Sequence, residues 1–114
     1  MYKRKKEDDP MEELTKTEQA ILDQLPRGKP QALTARTIIG KMKPRINIRS
    51  FREYIASMRS KGILIGASRS SPQGYYLVTN KGEAKEFIGG YRAQVQKEQN
   101  LLDALELSAR SWLQ

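Results

Sequence analysis

Arg49, Arg52 and Glu53 are the residues whose types and spacing could do chemistry in this chain. Positions three and four apart are neighbours on a helix, so all three side chains would leave one side of it. A guanidinium presents a planar fork of donors that fits phosphate oxygens or the O6/N7 edge of guanine. The chemistry implied is therefore recognition of a polyanion. The competing use is a surface pair between Arg49 and Glu53, which contributes a few tenths of a kcal/mol. The surroundings favour recognition. Between residues 27 and 69 stand 11 basic residues (Arg27, Lys29, Arg36, Lys41, Lys43, Arg45, Arg49, Arg52, Arg59, Lys61 and Arg69) against Glu53 alone, a net of +10. The whole chain carries +8, so everything outside that window sums to −2. A basic surface kept for solubility would not be so one-sided, and the field points to a phosphate-bearing partner.

Other chemistries find no residues. The sequence has no cysteine and no histidine, which removes disulfides, Cys/His metal sites and His-based catalytic triads. It offers no glycine-rich phosphate loop, no nucleophile with a base and no spaced carboxylate pair in an apolar setting. The expectation is a binding protein without catalysis, cofactor or metal. No apolar run approaches the ~18 residues of a membrane span. The start, MYKRKKEDDP, has no apolar region and is not a secretory signal. A cytoplasmic, nucleoid-associated protein is expected. Residues 1–13 combine Lys3-Arg4-Lys5-Lys6 with Glu7, Asp8, Asp9, Glu12 and Glu13, and read as a disordered charged tail. Those acids lack the spacing and glycine of a calcium loop.

The arginines must be carried by residues 47–62, NIRSFREYIASMRSKG. Ile48, Phe51, Ile55 and Met58 form an apolar stripe at helical spacing, with Tyr54 beside it. Asn47 is the expected N-cap and Gly62 the expected stop. The opposite face holds Arg49, Arg52, Glu53 and Ala56, flanked by Ser50 and Ser57. Upstream, Thr15 and Glu18 form a capping box for a helix with Ala20, Ile21, Leu22 and Leu25 on its apolar side, ended by Pro26. Residues 31–33 read as a short extended piece. Thr34 caps a second helix with Ala35, Ile38, Ile39 and Met42 inward. Gly40 within it serves a close helix approach or is simply tolerated, at about 1 kcal/mol. Pro44 ends this helix, and a tight turn with Lys41, Lys43 and Arg45 leads into the arginine-bearing one. That is the helix-turn-helix order. Downstream, residues 63–65 and 75–79 read as strands around a turn at 70–74, with Arg69 near the tip. Alternation predicts that one of Tyr75 and Tyr76 faces outward.

From Asn80, which with Glu83 has the form of another capping box, the pattern changes. Ala84, Ile88, Tyr91, Val95, Leu102, Leu105, Ala109 and Trp112 recur at spacings of 4 and 3, with Glu98 filling one slot, as a heptad seam. Phe87, Leu101 and Leu113 widen it. A helix of about 30 residues would run about 45 Å, more than a small domain can cover. Its far half is expected to pack on a second copy through Ile88, Tyr91, Val95, Leu102, Leu105 and Trp112, or to fold back on its own domain. Gly89-Gly90 costs about 2 kcal/mol and would bend or split the helix.

Residues 31 to about 88 resemble the winged-helix domain of the biotin operon repressor class. They are also similar to short winged-helix proteins of Gram-positive bacteria and their phages. LTARTIIGKM, INIRSFREYIASMRSKGILI and PQGYYLVTNKGEAKEFI carry the likeness, with Met58-Arg59-Ser60-Lys61-Gly62, Ile65 and Gly74-Tyr75-Tyr76-Leu77 matching the family's strand-approach pattern. The resemblance implies a mainly α fold with a small β-hairpin (α+β). The expected organisation is a charged tail at 1–13, a winged helix-turn-helix domain at 14–79 and a C-terminal dimerisation helix at 80–114. The resemblance places Asn47, Arg49, Ser50, Arg52, Glu53 and Ser57 toward the major groove. Lys41, Lys43 and Arg45 would lie on the DNA backbone, with Arg69 and Ser70 or Ser71 on the wing. No ligase domain accompanies the motif, so no small-molecule sensor carries over. The expected function is a double-stranded DNA-binding protein, a dimeric transcriptional regulator or origin-recognition factor of a bacterium, phage or plasmid. The other reading is a protein-interaction or replication accessory module on the same scaffold.

Overall fold

Four helices and one hairpin follow one another in the computed structural model, which describes residues 13–114. The tail expected at 1–13 thus falls almost wholly outside the described residues. Each helix begins where the sequence supplies a capping side chain. α1 (Lys16–Gln24) opens with the full box: Thr15 Oγ1 accepts from the Glu18 amide at 3.1 Å, and Glu18 Oε1 accepts from the Thr15 amide at 2.8 Å. A single 3₁₀ turn, Lys29–Gln31, follows. The Thr34 hydroxyl caps α2 (Ala35–Gly40), and Asn47 Oδ1 caps α3 (Ile48–Ser60) by accepting from the Ser50 amide at 2.7 Å. α3 stops at Gly62, whose φ is +91°. The Gly62 amide bonds the Arg59 carbonyl at 2.9 Å and the Ile63 amide bonds that of Met58 at 3.1 Å, a Schellman ending.

The chain then turns into an antiparallel hairpin, β1 (Ile65–Ser68) and β2 (Gly74–Leu77), with Ile65 opposite Leu77 and Ser68 opposite Gly74. The segment before α2 lies against the outer edge of β2. Leu33 and Tyr75 exchange both backbone bonds, at 3.1 and 2.7 Å. Of the piece read as extended at 31–33, only Leu33 pairs in this way. The backbone approaches so closely that a Cβ on Gly74, whose φ is +129°, would lie 2.0 Å from the Leu33 carbonyl oxygen. Only glycine fits there. Neither Tyr75 nor Tyr76 is exposed, contrary to the simple alternation. Tyr75 packs edge-on against Phe51, ring centroids 5.2 Å apart. Tyr76 is 2 % exposed because its ring folds over Gly66 on the opposite strand. The hairpin is covered on both faces, so the period of two separates two packing surfaces instead of an inside from an outside.

α4 (Lys81–Leu113) is 33 residues long, or about 50 Å. Asn80 Oδ1 caps it through the Glu83 amide at 2.8 Å. The Glu83 carboxylate departs from the expected box: it accepts from the Thr79 and Lys29 amides, at 2.9 and 2.8 Å, and so fastens the helix start to the 3₁₀ turn. The helix runs unbroken through Gly89-Gly90, and a Cβ on either glycine would meet nothing within 4 Å. It does not fold back. From Ile88 to Gln114 every residue is exposed except the half-buried Ala109. The radius of gyration is accordingly 17.3 Å, against about 13 Å for a compact chain of this length. Among the described residues no helix is long and apolar enough to cross a membrane.

Beneath α4's root sits the core, Ile21, Leu25, Ile38, Met42, Phe51, Ile55, Met58, Ile63, Ile65 and Leu77, supplied by the apolar faces of α1 to α3 and the hairpin. Gly40 is open and brings no helices together. One charged pair enters this interior. Lys61 Nζ lies 2.6 Å from Glu18 Oε1, with the two side chains 9 % and 1 % exposed. Burial would raise the Glu18 carboxyl, but hydrogen bonds from Lys61, Ser57 and Thr15 outweigh it and hold the group at about 2, below its ordinary 4.5. A depressed carboxyl stabilises the fold above its unfolded value and loses that contribution as pH falls through its folded value. Stability should therefore drop between pH 4.5 and about 2. Glu18→Gln should cost about 3 kcal/mol near neutrality, because it strands the Lys61 charge. It should also flatten the acid limb, as read by urea melts across pH.

Candidate nucleic-acid interface

The fold first decides which cations are available. Three of the 11 in residues 27–69 are spent inside the molecule. Lys61 belongs to Glu18. Lys29 Nζ contacts both oxygens of Glu86 at 3.0 Å, and that hydrogen bond raises the ammonium's pKa. Arg59 donates from Nε and Nη2 to the Ile65 carbonyl, at 2.9 and 2.7 Å, and from Nη1 to Tyr91 Oη at 3.2 Å. Its guanidinium also lies 5.6 and 5.7 Å from the Phe87 and Tyr91 ring centroids. One side chain thus binds α3, β1 and α4 together. Nothing in the sequence separates Arg59 and Lys61 from their basic neighbours, because their partners lie 6 to 48 residues away.

The remaining cations are open. Lys41, Lys43 and Arg45 are exposed in the α2–α3 turn, and among the described residues none enters a salt bridge. Arg49, Arg52 and Glu53 stand exposed on the N-terminal half of α3, as the spacing predicts. Arg49 Nε is 3.8 Å from Glu53 Oε2 with side chains 88 % and 69 % exposed, so solvent screens the pair to little value. Arg52 and Arg69 line one depression between α3 and the hairpin, together with Thr34, Ser68, Gln73 and Tyr75. The Gln73 amide donates to the Arg69 carbonyl at 2.9 Å and so shapes the loop that presents Arg69. Gln73 and the exposed Arg36 of α2 were not singled out by the spacing argument.

Two expected groove residues are partly committed. Asn47 spends its side-chain oxygen on the cap, and Ser50 is half-buried. Ser57 does not join the exposed face. It is half-buried on the flank of α3 that neighbours α1, and it helps lower the Glu18 pKa. The C-terminal half of α3 serves a different surface. Ala56 and Ser60, with Ile63, Leu64, Phe87, Ile88 and Tyr91, line an apolar groove of about 400 Å³ at the root of α4. The expected seam residues begin there. Ile88, Val95, Leu102, Leu105 and Trp112 are all free of the domain, at 42, 62, 48, 57 and 85 % exposure. Tyr91 is equally exposed, at 41 %, while its hydroxyl accepts from Arg59 of its own domain. Among the described residues no cluster of acids is placed to hold a metal ion.

Comparisons with protein-family models, with curated proteins and with solved structures gave no match to this chain.

The division between spent and open arginines is measurable. Arg59→Ala should lose about 2 kcal/mol of stability, through its charged hydrogen bonds and ring contacts. Arg49→Ala and Arg69→Ala should stay within about 0.5 kcal/mol of the parent. Denaturant melts of the three variants would test this, and equal losses would contradict the assignment.

Proposed function

We propose that this chain is a winged helix-turn-helix protein that binds double-stranded DNA, with α3 in the major groove and the β1–β2 loop on the backbone. The topology supports the winged-helix reading. Three capped helices precede a hairpin, and Leu33 adds a partial third strand to β2. The observation that carries the function is the run of exposed, unspent cations Lys41, Lys43, Arg45, Arg49 and Arg52, with Arg69 sharing a depression with Arg52. They occupy the turn and the first half of α3, the part of a recognition helix that meets base edges. Arg52 is positioned for base or phosphate contact, and the lysines for phosphates. The biological role that suits such a protein is a dimeric transcriptional regulator or an origin-recognition factor.

Fluorescence anisotropy on random duplex DNA at low and moderate salt tests the reading. Affinity should fall steeply with salt, with a log–log slope of up to about −5 if all six cations meet phosphates. Lys43→Ala should weaken every sequence alike and reduce the slope by about 1. Arg52→Ala should cost about 1–3 kcal/mol on a selected site and much less on random DNA if it reads a base. Absence of binding at low salt would overturn the proposal and leave the groove beside Ile88 as a protein-docking surface.

A further inference from the structure

Among the described residues, the seam of α4 leaves two features uncovered at its opposite ends. At the root lies the apolar groove floored by Ile63, Leu64 and Ile88. At the tip stand Trp112 and Leu113, 85 and 78 % exposed. The sequence of the seam itself says how they meet.

In heptad terms Ile88, Val95, Leu102 and Ala109 are a positions, and Ala84, Tyr91, Glu98, Leu105 and Trp112 are d positions. Parallel pairing stacks each residue on its own copy. Glu98 would then face Glu98 in the middle of the contact, and Trp112 would face Trp112 while the groove stayed empty. Antiparallel pairing sets a against d. About a centre near residue 100, Ile88 meets Trp112, Tyr91 meets Ala109, Val95 meets Leu105, and Glu98 meets Leu102 of the second copy. Large side chains then face small ones at Tyr91–Ala109, and the two Glu98 carboxylates leave direct opposition. The flanking e positions become mutual neighbours. Arg92 meets Glu106 of the second copy, twice by symmetry, and both side chains are exposed and, among the described residues, without a salt bridge. Parallel pairing offers these two residues no such contact, since they lie two heptads apart.

We infer that α4 pairs antiparallel with α4 of a second copy, seating Trp112 of each chain in the groove beside Ile88 of the other and joining Arg92 to Glu106. The pairing stands on the helix and the groove alone. Its consequence for spacing rests on the DNA reading: the two helix roots lie 24 residues apart along the bundle, about 36 Å, close to one turn of duplex DNA.

The chain contains no cysteine, so single-cysteine variants report the register without background. Val95 and Leu105 are exposed, and their replacement leaves the domain intact. Under mild oxidation, Val95→Cys and Leu105→Cys should each remain uncrosslinked alone, whereas an equimolar mixture, one member carrying a mass tag, should give the mixed disulfide. Self-crosslinking of either variant would show a parallel pair and overturn the inference. So would sedimentation of the unmodified chain as a monomer at high concentration. Arg92→Glu should weaken self-association about tenfold, and Arg92→Glu with Glu106→Arg should restore it; failure of that rescue would reject the register. Trp112 is the single tryptophan, and its emission should shift to the red on dilution into monomers. Loss of DNA binding with crosslinking intact would reject the DNA reading and leave the pairing in place.

Discussion

The Arg59 guanidinium is the joint on which the arrangement depends. Two of its nitrogens close on the Ile65 carbonyl at the start of the hairpin, and a third reaches Tyr91 on α4. Its faces meet the Phe87 and Tyr91 rings. No residue of α4 is buried, so the direction in which some 50 Å of helix leaves the domain rests on this contact, on Glu83 at the helix start and on the Lys29–Glu86 pair. A lysine there would supply charge without the planar fork that serves three elements at once.

The same economy divides the basic residues into two populations. Arg59, Lys61 and Lys29 are consumed by partners distant in sequence. Among the described residues, those between Lys41 and Arg52, with Arg69, have no such distant partner, and their side chains are exposed. α3 carries both populations and two surfaces. Its first half is charged and open, its last turns are apolar and border the groove, and its inner face is core. A helix of 13 residues thereby separates a candidate polyanion contact from a candidate protein contact by little more than two turns.

Most of the architecture was legible in the sequence because its signals are local. Thr15, Thr34, Asn47 and Asn80 cap the helices they precede, and Gly62 ends α3 with a left-handed residue. The apolar spacing of α3 gave its buried face correctly at Phe51, Ile55 and Met58, though Ile48 remains 43 % exposed at the helix start. What was not legible depends on contacts between segments. Ser57 turns to Glu18, the capping glutamate doubles as the partner of Lys61, and Tyr76 closes over Gly66. None of these follows from spacing, because each needs the packing of one element on another. The continuity of α4 through Gly89-Gly90 was also open in the sequence, where propensity alone argued for a break.

That glycine pair has a mechanical meaning. It lies between the two rings that Arg59 contacts, Phe87 and Tyr91, and just before the stretch with no covering at all. No neighbouring atom requires either glycine, so steric fit does not account for them. Two residues without side chains make the backbone softest at this point, with no break in its hydrogen bonding. The helix is therefore a stiff lever on a compliant mounting. In the pairing proposed above, each domain would keep a small freedom of orientation about this point, away from the exposed half of α3.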